Sequence, residues 1–270
     1  MGSDSYMYEV GELGQSRLAL LHQLYAPYSC AFIKTHIQFK NINRIVDIGC
    51  GAGYMSFWLA RQMAGMGTVT GVDISSEQVT TSREGSVVRG LQNIHYLQED
   101  AHTIAKTSAQ YDFTYTRFMM EHLREPLAFL KQIKASKPAQ DKGKKYLIID
   151  EAMHQSWDSS NHRDTLGVFR QSLLALGDKL GVDFNIGLNL YHLLHDAGFK
   201  NIKVNCAQPV LSGANNTQMI LAVLEESRGK FISHQIVSNE QLNALINQIT
   251  QIPSHTLIFL ASIVQYYCEY

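Results

Sequence analysis

The run Ile45-Val46-Asp47-Ile48-Gly49-Cys50-Gly51-Ala52-Gly53 constrains this chain more than any other: an apolar strand ends in closely spaced glycines and runs straight into a helical pattern. Glycine in such a loop lets a ligand lie against backbone where a side chain would collide, and it supplies positive φ at no steric cost. The helix behind the loop presents free N–H groups to that ligand. A strand, a tight loop and a helix in this order predict an open α/β sheet with a binding crevice beyond the carboxyl ends of its strands. Tyr54 stands where the dinucleotide fingerprint GxGxxG requires its third glycine, which disfavours a nicotinamide cofactor.

The rest of the chain repeats that unit. Apolar runs of strand length at 44–49, 68–73, 93–98, 111–116 and 145–151 alternate with amphipathic stretches near 54–64, 76–89 and 125–136, which predicts one α/β domain over residues 42–270. Further strands are expected at 200–206 and 256–268. Three segments depart from the repeat. Residues 1–41 read as a helical cap of two helices, about 11–24 and 27–39, the second opening at Pro27 and the segment bringing Tyr6, Tyr8, Tyr25, Tyr28 and Phe32. Residues 152–197 read as a helical insertion ending at Gly198, a residue suited to a helix C-terminus. Residues 216–251 read as another, with Ser238 as an N-cap and Pro253 as the stop.

Composition removes several functions. Lys plus Arg number 23 against 24 Asp plus Glu, a net charge of -1, which argues against a polycationic nucleic-acid binder. The longest uncharged apolar run, Thr256 to Cys268, falls short of the roughly 20 residues of a membrane span. MGSDSYMYEV lacks the basic and apolar regions of a secretion signal, and Cys30, Cys50, Cys206 and Cys268 form no CxxC pair, so a cytoplasmic protein with free thiols is expected. His192 and His195 share a helix face, but no Cys or Glu partner accompanies them, and no metal site is expected.

Two downstream acids complete the pattern. Asp73 ends the second strand, 26 residues after Asp47, and Asp100 follows 27 residues later, so the three carboxylates come to one edge of the sheet. In these motifs the chain resembles the class I S-adenosylmethionine-dependent methyltransferases: VDIGCGAG, GVDISSEQV, QEDAHTI and YDFTYTRFMMEHLREP match their first four motifs in order. KPAQDKGKKYLIIDE resembles the stretch before their fifth strand, with the usual Pro-Gly-Gly spread out. LHDAGFKNI is a pattern common among members that methylate small molecules. The resemblance implies a Rossmann-like, seven-stranded, mostly parallel sheet of order 3-2-1-4-5-7-6, with the last strand antiparallel and helical cap insertions. It also implies S-adenosylmethionine as methyl donor, held by Asp47, Gly49, Cys50, Gly51 and Gly53, with Asp73 on the ribose and Ile74 beside the adenine. Asp100, with Ala101, falls at the adenine amino group, and a backbone carbonyl near Arg117 at the methionine amino group.

Methyl transfer from a sulfonium is an in-line displacement governed by placement, and a general base is needed only where the acceptor must lose a proton. His154, just beyond the fifth strand, and His122, after the fourth, are the candidate catalytic residues; Glu151 either orients the acceptor or caps a loop. Residues 1–41 and 152–197 are expected to close over the donor methyl. The acceptor pocket between them is expected to be mostly apolar and to draw on Tyr25, Tyr28, Phe118, Met119 and Trp157, for a small-molecule acceptor rather than a nucleic acid or a membrane. A nucleic-acid or protein methyltransferase and a non-catalytic scaffold are the alternatives. Thr116-Arg117-Phe118-Met119 stands where an amino-directed nucleic-acid enzyme carries a DPPY-like sequence.

Overall fold

The computed structural model describes residues 12–141 and 143–270, side chains beginning at residue 14; the first residues of the N-terminal segment, with Tyr6 and Tyr8, lie outside the described residues. Its centre is a seven-stranded sheet. Five parallel strands come first: β1 (Arg44–Ile48), β2 (Thr68–Asp73), β3 (Ile94–Gln98), β4 (Phe113–Arg117) and β5 (Tyr146–Met153). They are joined by α2 (Tyr54–Gln62), α3 (Ser76–Val88), α4 (Ala101–Ala105) and α5 (Pro126–Ser136). The sheet is completed by β7 (Lys200–Ala207) and β10 (Ser262–Glu269), in the order β3-β2-β1-β4-β5-β10-β7. β10 runs antiparallel to both neighbours, so the order and the reversed last strand match the topology implied by the family motifs.

Helices cover both faces because the parallel strands are apolar on both. On one face Ile45 and Ile148 pack with Met55 and Leu59 of α2 and with Phe32, Ile33 and Ile37. On the other, Val46, Ile48, Leu147 and Ile149 pack with Phe129 and Leu130 of α5 and with Ile186, Leu190 and Leu194 of α7 (Ile186–Asp196). A third cluster joins Tyr25 and Trp157 to α6 (Arg163–Leu180), α8 (Gln218–Glu226) and α10 (Asn239–Thr250).

Two local readings are corrected, and a third, the helical stretch at 216–251 with Ser238 as N-cap, holds but divides further. The two helices expected at 11–24 and 27–39 form one continuous α1 (Glu12–His36) with Pro27 inside it. Proline removes a helix hydrogen bond and usually breaks a helix; here Pro27 and Gln23, whose carbonyl loses its donor, are both exposed, so water can replace that donor. Residues 216–251 are three helices, α9 (Arg228–Ser233) lying between α8 and α10, with Gln235 at φ 57 turning the chain after α9. The run 256–268 is two strands: β9 (Ile258–Phe259) joins β6 (Asp158–Ser159) and β8 (Val210–Leu211) in a small antiparallel sheet, and only then does β10 begin.

The insertions divide between the two faces. α1 packs against α8 and α2, while Trp157 and α6 share the third cluster with Tyr25. α7 lies across the sheet from α1, against β5 and β10, as the ordinary crossover helix of the fold.

Candidate active site

At the carboxyl ends of β1, β2 and β4 a cavity of about 960 Å³ opens, within the range of small-ligand pockets. One half is built from the glycine loop. Gly49, Gly51 and Gly53 all have positive φ. A Cβ on Gly51 would stand 3.7 Å from Leu18 Cδ1 across the cavity, so the missing side chain leaves a cradle of backbone. A Cβ on Gly49 would collide with the Met119 side chain, which makes this glycine a packing requirement as well.

Asp73 braces the loop from β2. Its carboxylate accepts from Gly51 N and Ser75 N, each at 2.9 Å, which leaves lone pairs on both oxygens for a ligand's hydroxyls. Asp100 caps α4 through His102 N at 2.8 Å, and Ile74 beside it is 56% exposed. Asp47 is buried and takes a short hydrogen bond from Ser56 Oγ; burial pushes its carboxyl up to about 6 against the opposing pull of that bond and of Arg117. Arg117 reaches His22 Nδ1 at 3.5 Å, while its Nη1 is buried with no hydrogen-bond partner among the described residues. Burial, aided by the Arg117 cation, holds His22 down to about 4, so its ring is neutral and accepts.

The other half is apolar, with a polar corner. Leu18, Leu21, Tyr25, Phe118, Met119, Trp157, Met219 and Val223 form its walls. Phe118 occupies the left-handed region at φ 52 and turns the chain sharply out of β4. Its edge meets the Tyr25 ring at 5.0 Å between centroids. The turn is held by Glu151, fully buried, whose Oε1 accepts from Met119 N at 3.0 Å and Met120 N at 2.8 Å. Burial and then the nearby Glu121 charge push the Glu151 carboxyl well above the usual range, against the backbone N–H groups it accepts from.

That turn delivers Glu121 and His122 to the cavity. Glu121 Oε2 lies 2.9 Å from His154 Nε2, and Glu121 Oε1 lies 3.6 Å from His122 Nε2. Against burial, which works the other way, the hydrogen bond with His154 and the Arg17 cation hold the Glu121 carboxyl below its ordinary value. Burial holds His122 below its ordinary value, with Arg17 in the same direction and Glu121 opposing. The Trp157 indole donates to His154 Nδ1 at 3.1 Å. Behind the corner Arg17 of α1 pairs with Glu226 of α8 at 2.7 Å, both buried.

Of the sequence-predicted residues, Asp47, Gly49, Cys50, Gly51, Asp73, Ile74, Asp100, Ala101, Arg117, His122, His154, Tyr25, Phe118, Met119 and Trp157 all line this cavity. Gly53 and Tyr28 do not. A Cβ on Gly53 would meet Ser82 and Tyr96 within the fold, and Tyr28 packs against the third cluster. Sequence reasoning missed Glu121, whose only signal was its place beside His122. It also missed Arg17, Met219 and Val223, which α1 and α8 bring in from far along the chain.

Residues 45–136 match a family model described as a methyltransferase domain. The chain is 30% identical over 211 residues to a ubiquinone biosynthesis O-methyltransferase of Hydrogenovibrio crunogenus, covering 68% of this chain and 81% of that protein. With the protein of the same name from Aeromonas salmonicida the match is 36% over 91 residues, 33% of this chain and 37% of the relative. The fold also superposes on a crystal structure described as a putative methyltransferase of Bacillus halodurans at a TM-score of 0.57 and 15% identity, covering 88% and 97% of the two chains. A glycine cradle and an acid at the end of β2 on this sheet, with a relative matched over most of its length, make the chain a member of the class I S-adenosylmethionine-dependent methyltransferases. It transfers the methyl group of S-adenosylmethionine to a small-molecule acceptor.

Proposed function

We propose that the acceptor atom is the oxygen of a hydroxyl group on a small, largely apolar molecule, and that His122 receives its proton. The observation that carries this reading is a polar corner, Glu121, His122 and His154, beside the apolar wall of Leu18, Leu21, Tyr25, Phe118, Met119 and Trp157, in one cavity with the glycine cradle. The O-methyltransferase activity in the names of the sequence relatives supports it.

S-adenosylmethionine supplies an electrophilic methyl on sulfur when bound. The chain's residues fit it: the Gly51 cradle admits a ligand against backbone, Asp73 keeps free lone pairs for two ribose hydroxyls, and Ile74 and Ala101 offer apolar surface to adenine. Asp100 takes the adenine amino group, and Asp47, Cys50 and the backbone at Arg117 stand at the methionine end. The orphaned Arg117 Nη1 is a cation ready for that end's carboxylate. Tyr25, Phe118, Met119 and Trp157 seat the acceptor and exclude water. α1 acts as the cap over 42–270, with α8 packed beside it as a further wall of the cavity.

As the oxygen–methyl bond forms and the sulfur–methyl bond breaks, the hydroxyl proton passes to His122 Nε2. Being held below its ordinary value, His122 is unprotonated and ready at neutral pH. The imidazolium it becomes lies 3.6 Å from the Glu121 carboxylate, which stabilises it. A cytoplasmic site of action accords with four cysteines free of disulfides.

The test is a panel of small hydroxyl compounds incubated with S-adenosylmethionine, read for mass gain by one methylene. Methylation of a hydroxyl with an acidic limb in the rate that disappears in His122→Gln supports the reading. Methylation of an amine alone, or a His122→Gln variant with unchanged rate, overturns it.

A further inference from the structure

His154 lines the cavity between a carboxylate and an indole, the position from which a histidine base would act. Its hydrogen bonds forbid that role. Indole nitrogen can only donate, so the 3.1 Å contact from Trp157 Nε1 occupies the lone pair of His154 Nδ1. The ring's proton therefore sits on Nε2 and is donated to Glu121 Oε2 at 2.9 Å. No lone pair remains with which to take a proton from an acceptor.

We propose that Trp157, His154 and Glu121 form a fixed hydrogen-bond relay that aims the Glu121 carboxylate at His122, so that His154 is a positioning residue for the proton acceptor and not the acceptor itself. The inference rests on the reading that His122 takes a hydroxyl proton. Each link is directional: the indole fixes the tautomer of His154, the tautomer fixes which carboxylate oxygen is engaged, and Glu121 Oε1 is left toward His122 at 3.6 Å. The surroundings hold the relay in place. Phe184 packs against His154 at 5.6 Å and against His122 at 6.3 Å between ring centroids. From β5 Glu151 holds the backbone on which Glu121 and His122 stand, and from α1 the Arg17 cation faces both of them while paired with Glu226. Arg17 is paired with Glu226, and Glu121 is the carboxylate that stands 3.6 Å from His122. Its orientation therefore decides how well the imidazolium is stabilised.

Gln at position 154 separates relay from base, because one amide can accept from Trp157 and donate to Glu121 but cannot take a proton at neutral pH. The expected result is that His154→Gln keeps kcat within a few-fold. His154→Leu and Trp157→Phe should each lower kcat about tenfold or more with KM for S-adenosylmethionine unchanged. The relay also has a readout that needs neither donor nor acceptor: nitrogen-15 spectra of the full chain should show His154 protonated at Nε2 and bare at Nδ1, a signature that shifts in Trp157→Phe. A proton on Nδ1, or a His154→Gln variant as slow as His122→Gln, overturns the proposal. Should no hydroxyl compound be methylated, the acceptor reading fails while the tautomer still decides the relay. Should His154→Leu fail to fold, the Gln variant and the spectrum decide it.

Discussion

If Asp47 stands at the methionine end of the donor, as proposed, its titration couples to donor binding. Its folded value of about 6 lies above the roughly 3.9 of an unfolded aspartate, so between about pH 4 and 6 the native state holds a proton that the unfolded state has released. A raised acid favours the fold at low pH, and this group's contribution falls by about 3 kcal/mol as pH rises through that window. A cationic donor reverses the preference, because it favours the ionised carboxylate. Donor affinity should therefore rise as pH passes through about 6, and Asp47→Asn should flatten both dependences; calorimetric titration at about pH 5 and pH 7, with denaturant unfolding at the same pH values, reads them. Asp73→Ala is expected to weaken donor binding by roughly 1.5 to 3 kcal/mol, since a desolvated ribose would lose its acceptors. His122→Gln should cost ~10²- to 10⁴-fold in kcat, and the wild-type rate should fall only at a pH below the ordinary histidine value.

Between α1 and α8 the buried Arg17–Glu226 pair ties the two helices that wall the acceptor half. Breaking a buried ion pair by removing one partner is strongly destabilising, so Arg17→Met and Glu226→Leu should each lower stability by about 3 to 5 kcal/mol, and the double variant should recover most of it. Urea unfolding of the two single variants and the double variant measures this directly, and equal losses in all three would show that the pair's packing matters more than its charge. These same elements mark where sequence reading stopped. The strands β1 to β5 were legible because each apolar run is bounded by turn residues or a helical period. Pro27 read as a helix start because proline does so locally, and only the solvent on that side of α1 lets the helix continue through it. The run at 256–268 carries no breaker residue. Its division into β9 and β10 is set by long-range partners: Leu260 N donates to Pro209 O, and Ala261 O accepts from Tyr25.

Over the whole molecule, the half of the cavity built on the glycine loop was legible and the apolar half only partly. Gly49, Gly51, Asp73 and Asp100 lie in short motifs whose spacing follows the βα unit, so the sheet alone brings them together. The apolar wall draws on Met219 and Val223, with Arg17 behind it, residues that meet because α1 and α8 close on the strand ends, while Glu121 and His154 follow the paired strands β4 and β5. Donor binding should tie these parts together, raising stability by ~2.7 kcal/mol at a hundred times Kd, which thermal unfolding with S-adenosylhomocysteine would read. The most direct test of methyl transfer to oxygen is a single turnover with S-adenosylmethionine carrying carbon-13 in its methyl group, followed by the carbon spectrum of the purified product. A labelled O-methyl group on a small molecule, lost in the Asp73→Ala variant at limiting donor, is the expected result. A label found on nitrogen or on carbon, or no labelled small molecule with donor demonstrably bound, would contradict it.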